Sequence, residues 1–363
     1  MKTVKELIRS LHIKNIIGNA EVLITGICFD SRSVQTDNMF IAVRGTNVDG
    51  HDYIEKAIST GAICIVCDVL PSIKVDGVCI VLVGDTSLAL GIIASNYFDN
   101  PSSQINLIGV TGTNGKTSIA TILFKLARKL GYSAGLISTV RNQIDENEIE
   151  STHTTPDAIR LNELIRKMTD HGCTYVFMEV SSHACDQNRI AGLQFFIGIF
   201  SNITHDHLDY HKTFRNYLHA KKKFFDMLES NSFAVSNADD KNGHVIVQNT
   251  KANKRFYALR NAADVKAKIL SNSLSGLQLM IDKHEVHFKL SGEFNAYNLL
   301  AVYTTSKIIG WDETEVLSIL SNIQSAEGRF ETHVSSINKI VGIIDYAHTP
   351  DALEKVLQTI LLS

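Results

Sequence analysis

Several features that mark large classes of protein are scarce or absent in this sequence. No apolar run in the 363 residues approaches the roughly 18 residues that a membrane-spanning helix needs. A formal net charge of -3 gives no broad basic surface for nucleic acid. The six cysteines are scattered, and the one close pair, Cys64 and Cys67, lies in the apolar string AICIVCDVL, which favours core packing over redox or zinc chemistry. We therefore expect small-molecule partners, with no nucleic acid and no membrane.

The bulk composition is that of a globular protein of more than one domain. Hydrophobic residues make up 44% and charged residues 20% of the sequence, as is typical of soluble proteins. The N-terminal string MKTVKELIRSLHI predicts an amphipathic helix rather than a signal peptide, so we expect the cytoplasm as the compartment. The length predicts two or three domains.

Turn signals divide the chain into three predicted domains, 1–100, 101–328 and 329–363. In the first, IEKAISTGAICIVCDV predicts a helix that ends near Gly61 and then a strand, which is typical of a small α/β unit. The polar string DNPSSQ holds one of only four prolines and marks the first boundary. The last stretch supplies one strand and one helix, too little to bury a core of its own. We interpret it as the start of a third domain that is cut short.

The central region has the element order of a P-loop-like, doubly wound parallel sheet. INLIGV, residues 105–110, predicts a buried strand, and residues 116–130 predict a helix that Gly131 ends. A second helix is predicted in THTTPDAIRLNELIRKMTDHG, with Thr155 as N-cap and Pro156 in the first turn. TYVFMEVSS and FFIGIFSNIT are apolar almost throughout, as expected of parallel strands covered on both faces.

Between the first strand and helix of this region lies TGTNGKTS, residues 111–118. The usual phosphate-binding string, G-x-x-x-x-G-K-[ST], needs a glycine where this chain has Val110. In a strand-turn-helix setting, the N–H groups of residues 112–117 can surround phosphates, Lys116 can neutralise their charge, and the Thr117 hydroxyl can bind Mg²⁺. A tight βα turn that merely contains Gly and Lys is the alternative, but the complete GTNGKT string favours a nucleotide site.

Two polar strings follow later strands, at the edge where open α/β sheets bind ligands. In MEVSSHACDQNR, Glu179 ends a predicted strand and could hold or orient a metal ion. NITHDHLDYH, residues 202–211, contains three histidines and two aspartates just past another strand, which indicates a site facing metal or phosphate. Solvated surface turns would explain either string taken alone.

The helical string TFRNYLHAKKKFFDMLE contains an unusual lysine. Its aromatic and leucine side chains form one apolar stripe at helical spacing, and Lys221 falls inside that stripe while Lys222 does not. A buried lysine needs a compensating reason. Snorkelling of the ammonium past the stripe is the alternative on pattern alone.

Taken together, these strings resemble the Mur ligases, the ATP-dependent enzymes that build the peptidoglycan stem peptide. The chain contains, in the order and approximate spacing of that family, TGTNGKTS, MEVSSHA, NITHDHLDYH, the run at residues 220–225, GEFNAYNLLAV, EGRFE and DYAHTPDAL. The family's loop is T-G-T-N-G-K-[ST], with the short glycine spacing seen here. The resemblance covers the whole chain and implies an N-terminal UDP-sugar-binding domain, a central ATP-binding domain and a Rossmann-like third domain that is truncated here.

Two strings indicate a branch of the family. DSRSVQTDNMFIAVRGTNVDGHDYI and HTTPD resemble the MurE type, which joins a diamino acid to UDP-N-acetylmuramoyl-L-alanyl-D-glutamate through an acyl phosphate. The resemblance implies ATP and Mg²⁺ as cofactors, that dipeptide and a diamino acid as substrates (meso-diaminopimelate favoured, or L-lysine), and a monomer. The motif that selects the amino acid lies beyond Ser363 in the family.

The resemblance also implies roles for individual residues. Catalytic roles fall to Lys116, Glu179, His207 and Lys221, the last of which is carbamylated in the family. Thr117, Glu179, His207 and Lys221 would bind metal. The ATP site would comprise Gly112, Thr113, Asn114, Gly115, Lys116, Thr117, Ser118, Asn295, Asn298, Arg329 and Asp345. The UDP end of the substrate would meet Ser31, Thr46, Asn47 and Val48, and its muramoyl-dipeptide arm Thr154, Thr155, Ser181, Gln187 and Arg189.

Two alternatives remain at this point. One is a related ligase, either the type that adds D-Ala-D-Ala or a folylpolyglutamate synthase, although DSRSV and HTTPD argue against both. The other is a module that binds UDP-muropeptide and nucleotide without catalysis, which would have no need of the metal set.

Overall fold

The computed structural model describes residues 1–45, 48–72, 76–151, 153–335 and 340–361. Within them the chain forms two compact units. Unit 1 comprises Met1–Gln104, Pro156–Thr169 and Ala184–Leu193, and unit 2 comprises Ile105–Thr155, Asp170–His183 and Gln194–Ser363. No helix of the described residues is long and apolar enough to cross a membrane.

Unit 1 is built on a mixed sheet. Its elements up to residue 104 are β1 (Lys2–Thr3), α1 (Val4–Leu7), β2 (Ile13–Ile17), β3 (Leu23–Ile24), β4 (Gly26–Cys28), β5 (Asn38–Ile41), α2 (Ile54–Thr60), β6 (Ala62–Cys67), β7 (Cys79–Val83) and α3 (Thr86–Tyr97). The sheet order is β2-β7-β6-β5-β4, with β2 antiparallel to its neighbour and the other pairs parallel. As predicted, α2 ends at Gly61, where φ is 122°.

Side chains of this sheet alternate between two hydrophobic clusters, one on each face. Cys64 belongs to the cluster that includes α3, and Cys67 to the cluster that includes α2. Because the two thiols point to opposite faces, they cannot share a metal ion. All six cysteines are reduced and buried, which confirms their prediction as core residues.

The predicted N-terminal amphipathic helix is much shorter than expected. Only Val4–Leu7 is helical, with Thr3 and Glu6 forming a capping box. The preceding strand β1 pairs with β3, and the Val4 N–H donates to the carbonyl of Val22. These tertiary hydrogen bonds override the helical pattern of the sequence.

Unit 2 contains the remaining strands and most of the remaining helices. The strands are β8 (Asn106–Thr111), β9 (Ala134–Ile137), β10 (Asn142–Ile144), β11 (Asn147–Ile149), β12 (Tyr175–Glu179), β13 (Ile197–Phe200), β14 (Phe233–Asn237), β15 (Asn253–Ala258), β16 (Val265–Ser273), β17 (Gly276–Ile281), β18 (His284–Phe288), β19 (Glu331–Val334) and β20 (Val341–Ile344). The helices from residue 105 onwards are α4 (Lys116–Lys129), α5 (Ala158–Asp170), α6 (Ser182–Asp186), α7 (Leu208–His211), α8 (Phe214–Asp226), α9 (Gly243–Ile246), α10 (Glu293–Ile309), α11 (Glu313–Asn322) and α12 (Pro350–Leu361). Nearly all of α5 and part of α6 belong to unit 1.

The central sheet has eleven strands in the order β11-β10-β9-β12-β8-β13-β14-β15-β16-β17-β18. The seven strands from β9 to β16 are parallel, and an antiparallel hairpin extends the sheet at each edge. The parallel core with covering helices confirms the predicted α/β class. The strands predicted around LQLMI and VHFKL form one of the edge hairpins and so belong to the same sheet, as expected.

The predicted N-cap of α5 is wrong by two residues. Asp157 caps the helix, because its carboxylate accepts the N–H groups of Ile159 and Arg160, each at 3.0 Å. Thr155 instead donates its hydroxyl to the carbonyl of Glu179 at 2.8 Å and accepts the Ser181 N–H at 3.1 Å. A Thr-Thr-Pro-Asp string contains several cap candidates, and the contact with β12 selects among them.

The last described residues form a hairpin followed by a helix. The antiparallel pair of β19 and β20 precedes α12, so the predicted strand and helix are present and β19 is an addition. These residues cluster with unit 2, and the predicted boundary near residue 329 stays a prediction.

Candidate active site

The loop between β8 and α4 requires glycine at two positions. Gly112 has a φ of 153°, and a Cβ there would lie 1.9 Å from the Ser201 hydroxyl oxygen. Gly115 has a φ of 89° and a Cβ there would lie 2.6 Å from Oδ1 of Asn298. The backbone therefore passes close to its neighbours at both glycines, so any side chain at either position would clash.

The segment after β13 fixes the shape of this loop. Asn202 accepts the Thr113 N–H with its carbonyl at 2.8 Å and the Asn114 N–H with Oδ1 at 3.0 Å. The Ser201 hydroxyl donates to the carbonyl of Asn114 at 2.6 Å. Since two loop N–H groups are engaged in this way, phosphate binding would fall mainly to the first turn of α4, from Gly115 to Ser118, whose N–H groups have no acceptor within the helix.

Two ammonium groups converge on one carbonyl oxygen of the loop. The carbonyl of Gly112 accepts from Lys116 Nζ at 3.0 Å and from Lys221 Nζ at 2.7 Å. Lys221 is 1% exposed, which confirms its predicted burial, and its Nζ lies 4.7 Å from the centre of the Tyr217 ring. Burial lowers the pKa of Lys116, the carboxylates of Glu179 and Asp206 oppose that shift, and the charge of Arg329 adds to it. The loop is thus lined with positive charge.

Glu179 stands at the carboxyl end of β12 and bonds to the start of α4. Its Oε1 accepts the Thr117 hydroxyl at 2.9 Å and the Thr139 N–H at 2.7 Å. Its Oε2 is buried without a hydrogen-bond partner, and the side chain is 1% exposed. A buried carboxylate oxygen with an unused lone pair beside a threonine hydroxyl is a donor set suited to Mg²⁺. The residues therefore fit the metal that the sequence implied.

No group of three or more His, Cys, Asp or Glu side chains among the described residues is placed to hold a metal ion. A second metal position at Glu179, His207 and Lys221 would also require the carbamate, because an unmodified ammonium repels cations. Phosphate oxygens and water would complete the coordination of a metal ion here.

Arg329, which follows α11, contacts the Thr117 hydroxyl that also bonds to Glu179. Its Nη2 donates to Thr117 Oγ1 at 3.2 Å, and its guanidinium lies 4.8 Å from the ring centre of Tyr346. Asp345 accepts the Phe330 N–H at 2.6 Å and so fixes the backbone next to Arg329. Arg329 therefore contacts the start of α4 directly, whereas Asp345 acts indirectly by fixing the turn that carries Arg329.

Asn295 and Asn298 form a buried pair on α10. Asn298 Nδ2 donates to Asn295 Oδ1 at 3.1 Å, and Asn295 Nδ2 donates to the carbonyl of Ser291 at 2.8 Å. Oδ1 of Asn298 faces Gly115, as the close approach at that glycine shows. These two residues, which the family resemblance assigns to the ATP site, therefore adjoin the predicted phosphate loop.

His207 lies beside the lysines without a direct bond to Glu179 among the contacts of the described residues. Its backbone is left-handed, with φ of 50°, and its ring is 5.0 Å from that of His183 and 6.1 Å from that of Tyr217. Burial lowers its pKa, as do the charges of Lys116 and Lys221, while Asp206 opposes the shift. The lowered pKa favours a neutral imidazole, the form that binds metal.

The substrate-arm residues of unit 2 lie next to Glu179. Thr154 accepts the hydroxyl of Thr139 at 3.0 Å, and Thr139 in turn donates its N–H to Glu179. Thr155 joins Glu179 and Ser181 through its hydroxyl. These three predicted residues therefore border the candidate metal site.

Unit 1 contains the remaining residues that the family resemblance assigns to the substrate. Ser31 is buried and begins a 3-10 turn that Asp30 caps. Val48 is exposed and its carbonyl accepts the Gly45 N–H at 2.9 Å, whereas Thr46 and Asn47 lie outside the described residues. Gln187 Oε1 accepts two bonds from the Arg189 guanidinium, at 2.9 and 2.6 Å.

The sequence did not single out three residues that shape the site. Asn202 was included only within a longer polar string, although it fixes the loop. Thr139 contributes through its backbone N–H, which no sequence pattern reveals. Asp351 accepts from Asn114 Nδ2 at 3.1 Å across a separation of 237 residues, and in the sequence it appeared only within the string DYAHTPDAL.

Comparison with protein families matches both parts of the chain. Residues 110–306 match the Mur ligase middle domain, and residues 23–100 match the model described as Mur ligase family, catalytic domain. The first match alone covers more than half of the chain.

Curated proteins similar to this chain include several named UDP-N-acetylmuramoyl-L-alanyl-D-glutamate--2,6-diaminopimelate ligase, among them one from Cytophaga hutchinsonii and one from Phocaeicola vulgatus. The one from Cytophaga hutchinsonii is 54% identical over 358 residues, covering 98% of this chain and 74% of the relative. The one from Phocaeicola vulgatus is 50% identical over 356 residues, covering 98% of this chain and 73% of the relative.

Solved structures agree. A structure of UDP-N-acetylmuramoyl-L-alanyl-D-glutamate--2,6-diaminopimelate ligase aligns with a TM-score of 0.82 at 26% identity, over 100% of this chain and 74% of the other. MurF from Thermotoga maritima in complex with ADP aligns with a TM-score of 0.61 at 21% identity, over 93% of this chain and 74% of the other, and shares the fold alone. By its match to the family models, its identity to these relatives and its fold, the chain belongs to the Mur ligase family.

Proposed function

We propose that this chain carries out the ATP-dependent joining of a diamino acid, meso-2,6-diaminopimelate, to UDP-N-acetylmuramoyl-L-alanyl-D-glutamate in peptidoglycan precursor synthesis. The observation that carries the proposal is the buried Glu179, held between Thr117 and Thr139 with one oxygen unpartnered, beside a loop charged by Lys116 and Lys221. The identity of 54% to a ligase of that name supports the choice of substrates.

The chemistry starts from a carboxylate, which is a poor electrophile. The γ-phosphoryl group of ATP is transferred to the side-chain carboxylate of D-Glu, forming an acyl phosphate and releasing ADP. The main obstacle is repulsion between the carboxylate and the γ-phosphate. Lys116 and Arg329 offset this repulsion, and the first turn of α4 orients the phosphates. Mg²⁺, which Thr117 and Glu179 would hold, supplies further neutralisation of phosphate charge.

The second half of the reaction forms the amide bond. The amine of the diamino acid attacks the acyl carbon, inorganic phosphate leaves, and the amine loses its proton. Thr154, Thr155 and Ser181 border Glu179 and would hold the dipeptide arm that carries the acyl group. The remainder of this substrate would be bound by Ser31, Thr46, Asn47, Val48, Gln187 and Arg189. We expect the chain to work as a monomer in the cytoplasm.

A product assay tests this function directly. The chain is incubated with ATP, Mg²⁺, UDP-N-acetylmuramoyl-L-alanyl-D-glutamate and either meso-diaminopimelate or L-lysine, and the tripeptide product is measured by mass spectrometry. We expect product with meso-diaminopimelate; product with L-lysine alone would correct the amino acid and leave the reaction class intact. Hydroxylamine in place of the amino acid should trap the acyl phosphate as a hydroxamate.

Two variants make the assay specific to the site. Glu179→Gln should abolish both product and hydroxamate, because it removes the carboxylate charge while preserving the shape of the side chain. Lys222→Met is a control that removes a charge from α8 outside the proposed site, since Lys222 pairs with Asp226. If the wild-type chain binds ATP and the UDP-dipeptide but yields neither product nor hydroxamate, it is a binding module and the proposed function is wrong.

The other ligase types have weaker support. The folylpolyglutamate synthase of Mycobacterium tuberculosis aligns at 18% identity over 75% of this chain, and the Acinetobacter baumannii MurF at 18% over 100%. Both likenesses concern the fold alone, whereas the relatives at 50% and above carry the diaminopimelate ligase name.

A further inference from the structure

The segment that carries Arg329 to the nucleotide loop is held by polar contacts from α4 itself. This segment, residues 324–329, is called the linker here; it follows α11 and ends where Arg329 donates to the Thr117 hydroxyl. Thr117 lies in the first turn of α4. Helix α4 therefore contacts the last residue of the linker. A role for the linker in ATP binding rests on the proposed function.

Lys125, two turns further along α4, contacts the near end of the linker. Its Nζ donates to the carbonyl of Ser325 at 3.1 Å and, more weakly, to that of Gln324 at 3.4 Å. Burial lowers the pKa of Lys125, and the nearby charges of Arg141 and Lys129 add to the shift while Glu331 opposes it. A half-buried lysine whose hydrogen bonds go to main-chain carbonyls fixes the position of a backbone rather than that of another side chain.

The linker borders open space on one side, while Ala326 in its middle is buried on the other. An open cavity of about 850 Å³ is lined by Lys125, by linker residues from Gln324 to Glu327, and by residues of β9 and β10 and the turn between them. Where a segment borders open space, its position depends on its few polar contacts, because van der Waals neighbours are missing on that side. Lys125 provides two of those contacts.

A second contact ties the linker to the turn that holds Glu179. Arg141 forms ion pairs with Glu327 of the linker and with Glu148 of β11. Two residues before Arg141, the Thr139 N–H donates to Glu179 Oε1 at 2.7 Å. The linker is thus connected to both sides of the candidate metal site, to Thr117 through Arg329 and to Glu179 through the turn at residues 138–141.

We propose that Lys125 is a positioning residue of the nucleotide site, which holds the linker in register so that Arg329 lies against Thr117, and that the Arg141–Glu327 ion pair assists it. Lys125 itself touches neither ATP nor the acyl group. Its removal leaves the loop, Lys116 and Glu179 in place and releases Arg329 from its position.

Four variants test the role of Lys125. Lys125→Met should weaken Mg-ATP binding about tenfold or more, the effect of losing a hydrogen bond to a charged donor, and raise KM for ATP. Binding of the UDP-dipeptide should not change. Lys125→Arg should restore most of the ATP affinity, because a guanidinium can still donate to the two carbonyls. Lys129→Met is the matched control, since Lys129 is exposed and lies about one turn further along the helix. Arg329→Gln should weaken ATP binding to a similar degree as Lys125→Met. When the two are combined, Lys125→Met should cause no further loss of ATP affinity.

The readouts separate positioning from mere stability. Nucleotide affinity is measured by calorimetry and Tm by a thermal melt, each for every variant. The proposal would be overturned if Lys125→Met bound ATP as tightly as Lys129→Met does. It would also be overturned if Lys125→Met lost ATP affinity and UDP-dipeptide affinity equally and had a lowered Tm. Additive effects of Lys125→Met and Arg329→Gln would also overturn it.

Charge reversal tests the assisting ion pair. Arg141→Glu should weaken Mg-ATP binding by about two- to fivefold, as expected for a largely exposed pair, and Arg141→Glu combined with Glu327→Arg should recover part of that loss. No recovery would remove Arg141 from the proposal. Because these are nucleotide-binding measurements, they stand even if the product assay finds no tripeptide, so failure of this inference and failure of the proposed function are distinguishable.

Discussion

Replacing Lys221 by methionine separates a structural role of this lysine from a catalytic one. The substitution removes a hydrogen bond from a charged donor to the Gly112 carbonyl, about 1.5–3 kcal/mol, and a cation–π contact with Tyr217, about 0.5–2 kcal/mol. It also removes the cost of burying an ammonium that is 1% exposed, which is several kcal/mol in the opposite direction. The carbonyl keeps its bond from Lys116. We therefore expect the free energy of unfolding to change by no more than about 2 kcal/mol.

Turnover should respond very differently. If Lys221 faces the transferring phosphoryl group, its loss should lower kcat by about 10²–10³-fold, the effect of removing one preorganised electrostatic group. Lys221→Ala should lose as much activity and, in addition, about 2–4 kcal/mol of stability through the cavity it leaves.

The assay combines initial rates of tripeptide formation with urea unfolding of the same preparations. Removal of dissolved CO₂ should lower the wild-type rate, and bicarbonate should restore it, if Lys221 is carbamylated as the family resemblance implies. A Lys221→Met rate within tenfold of the wild type would refute the metal-site reasoning. A large loss of stability with a normal rate per folded molecule would show that the lysine is structural.

Two further changes have effects that the local geometry specifies. Gly112→Ala should cost about 2–4 kcal/mol of unfolding free energy and abolish nucleotide binding, because its Cβ would lie 1.9 Å from Ser201 Oγ. Gly131→Ala should cost only about 1–2 kcal/mol, because Gly131 has a positive φ but open space around the added Cβ. Equal losses of unfolding free energy for the two variants in urea titrations would contradict this reasoning. Asp239→Asn should destabilise the chain at pH 7, since the three N–H groups of residues 259–261 hold the pKa of Asp239 below its usual value although burial alone would raise it. A carboxyl with a lowered folded pKa contributes stability above about pH 4 and loses it as the pH falls through the folded pKa. The difference in unfolding free energy between the wild type and Asp239→Asn should therefore shrink by about pH 3. An unchanged difference at about pH 3 would be evidence against this role of Asp239.

Local pattern sufficed for the elements whose signals lie close together in sequence. The strand of residues 105–110, the loop and α4 follow from apolar periodicity and two glycines, and the burial of Lys221 follows from the helical stripe around it. The same reasoning failed at Thr155, because several residues of one string could cap α5 and only the contact with Glu179 decides among them.

Contacts between distant parts of the chain were out of reach. The Arg329 bond to Thr117 joins residues 212 positions apart, and its assignment to the site came from the family resemblance rather than from any pattern. The backbone N–H of Thr139 has no sequence signature at all, since every residue except proline carries one. What the sequence predicted of the site was its residue types, and what it could not predict was which neighbour each of them bonds to.

The hairpins at the two edges of the eleven-stranded sheet have a consequence for how the protein reaches its folded state. Parallel strands pair residues far apart in sequence and therefore associate slowly, whereas β10 with β11 and β17 with β18 join neighbouring segments. The outermost strands are short, three and five residues, and carry Glu148 on one side and Glu285 between two histidines on the other. Charged, locally formed borders discourage pairing with other chains while the interior is still assembling. A sheet this wide would otherwise offer a growing edge to every unfolded copy in the cell.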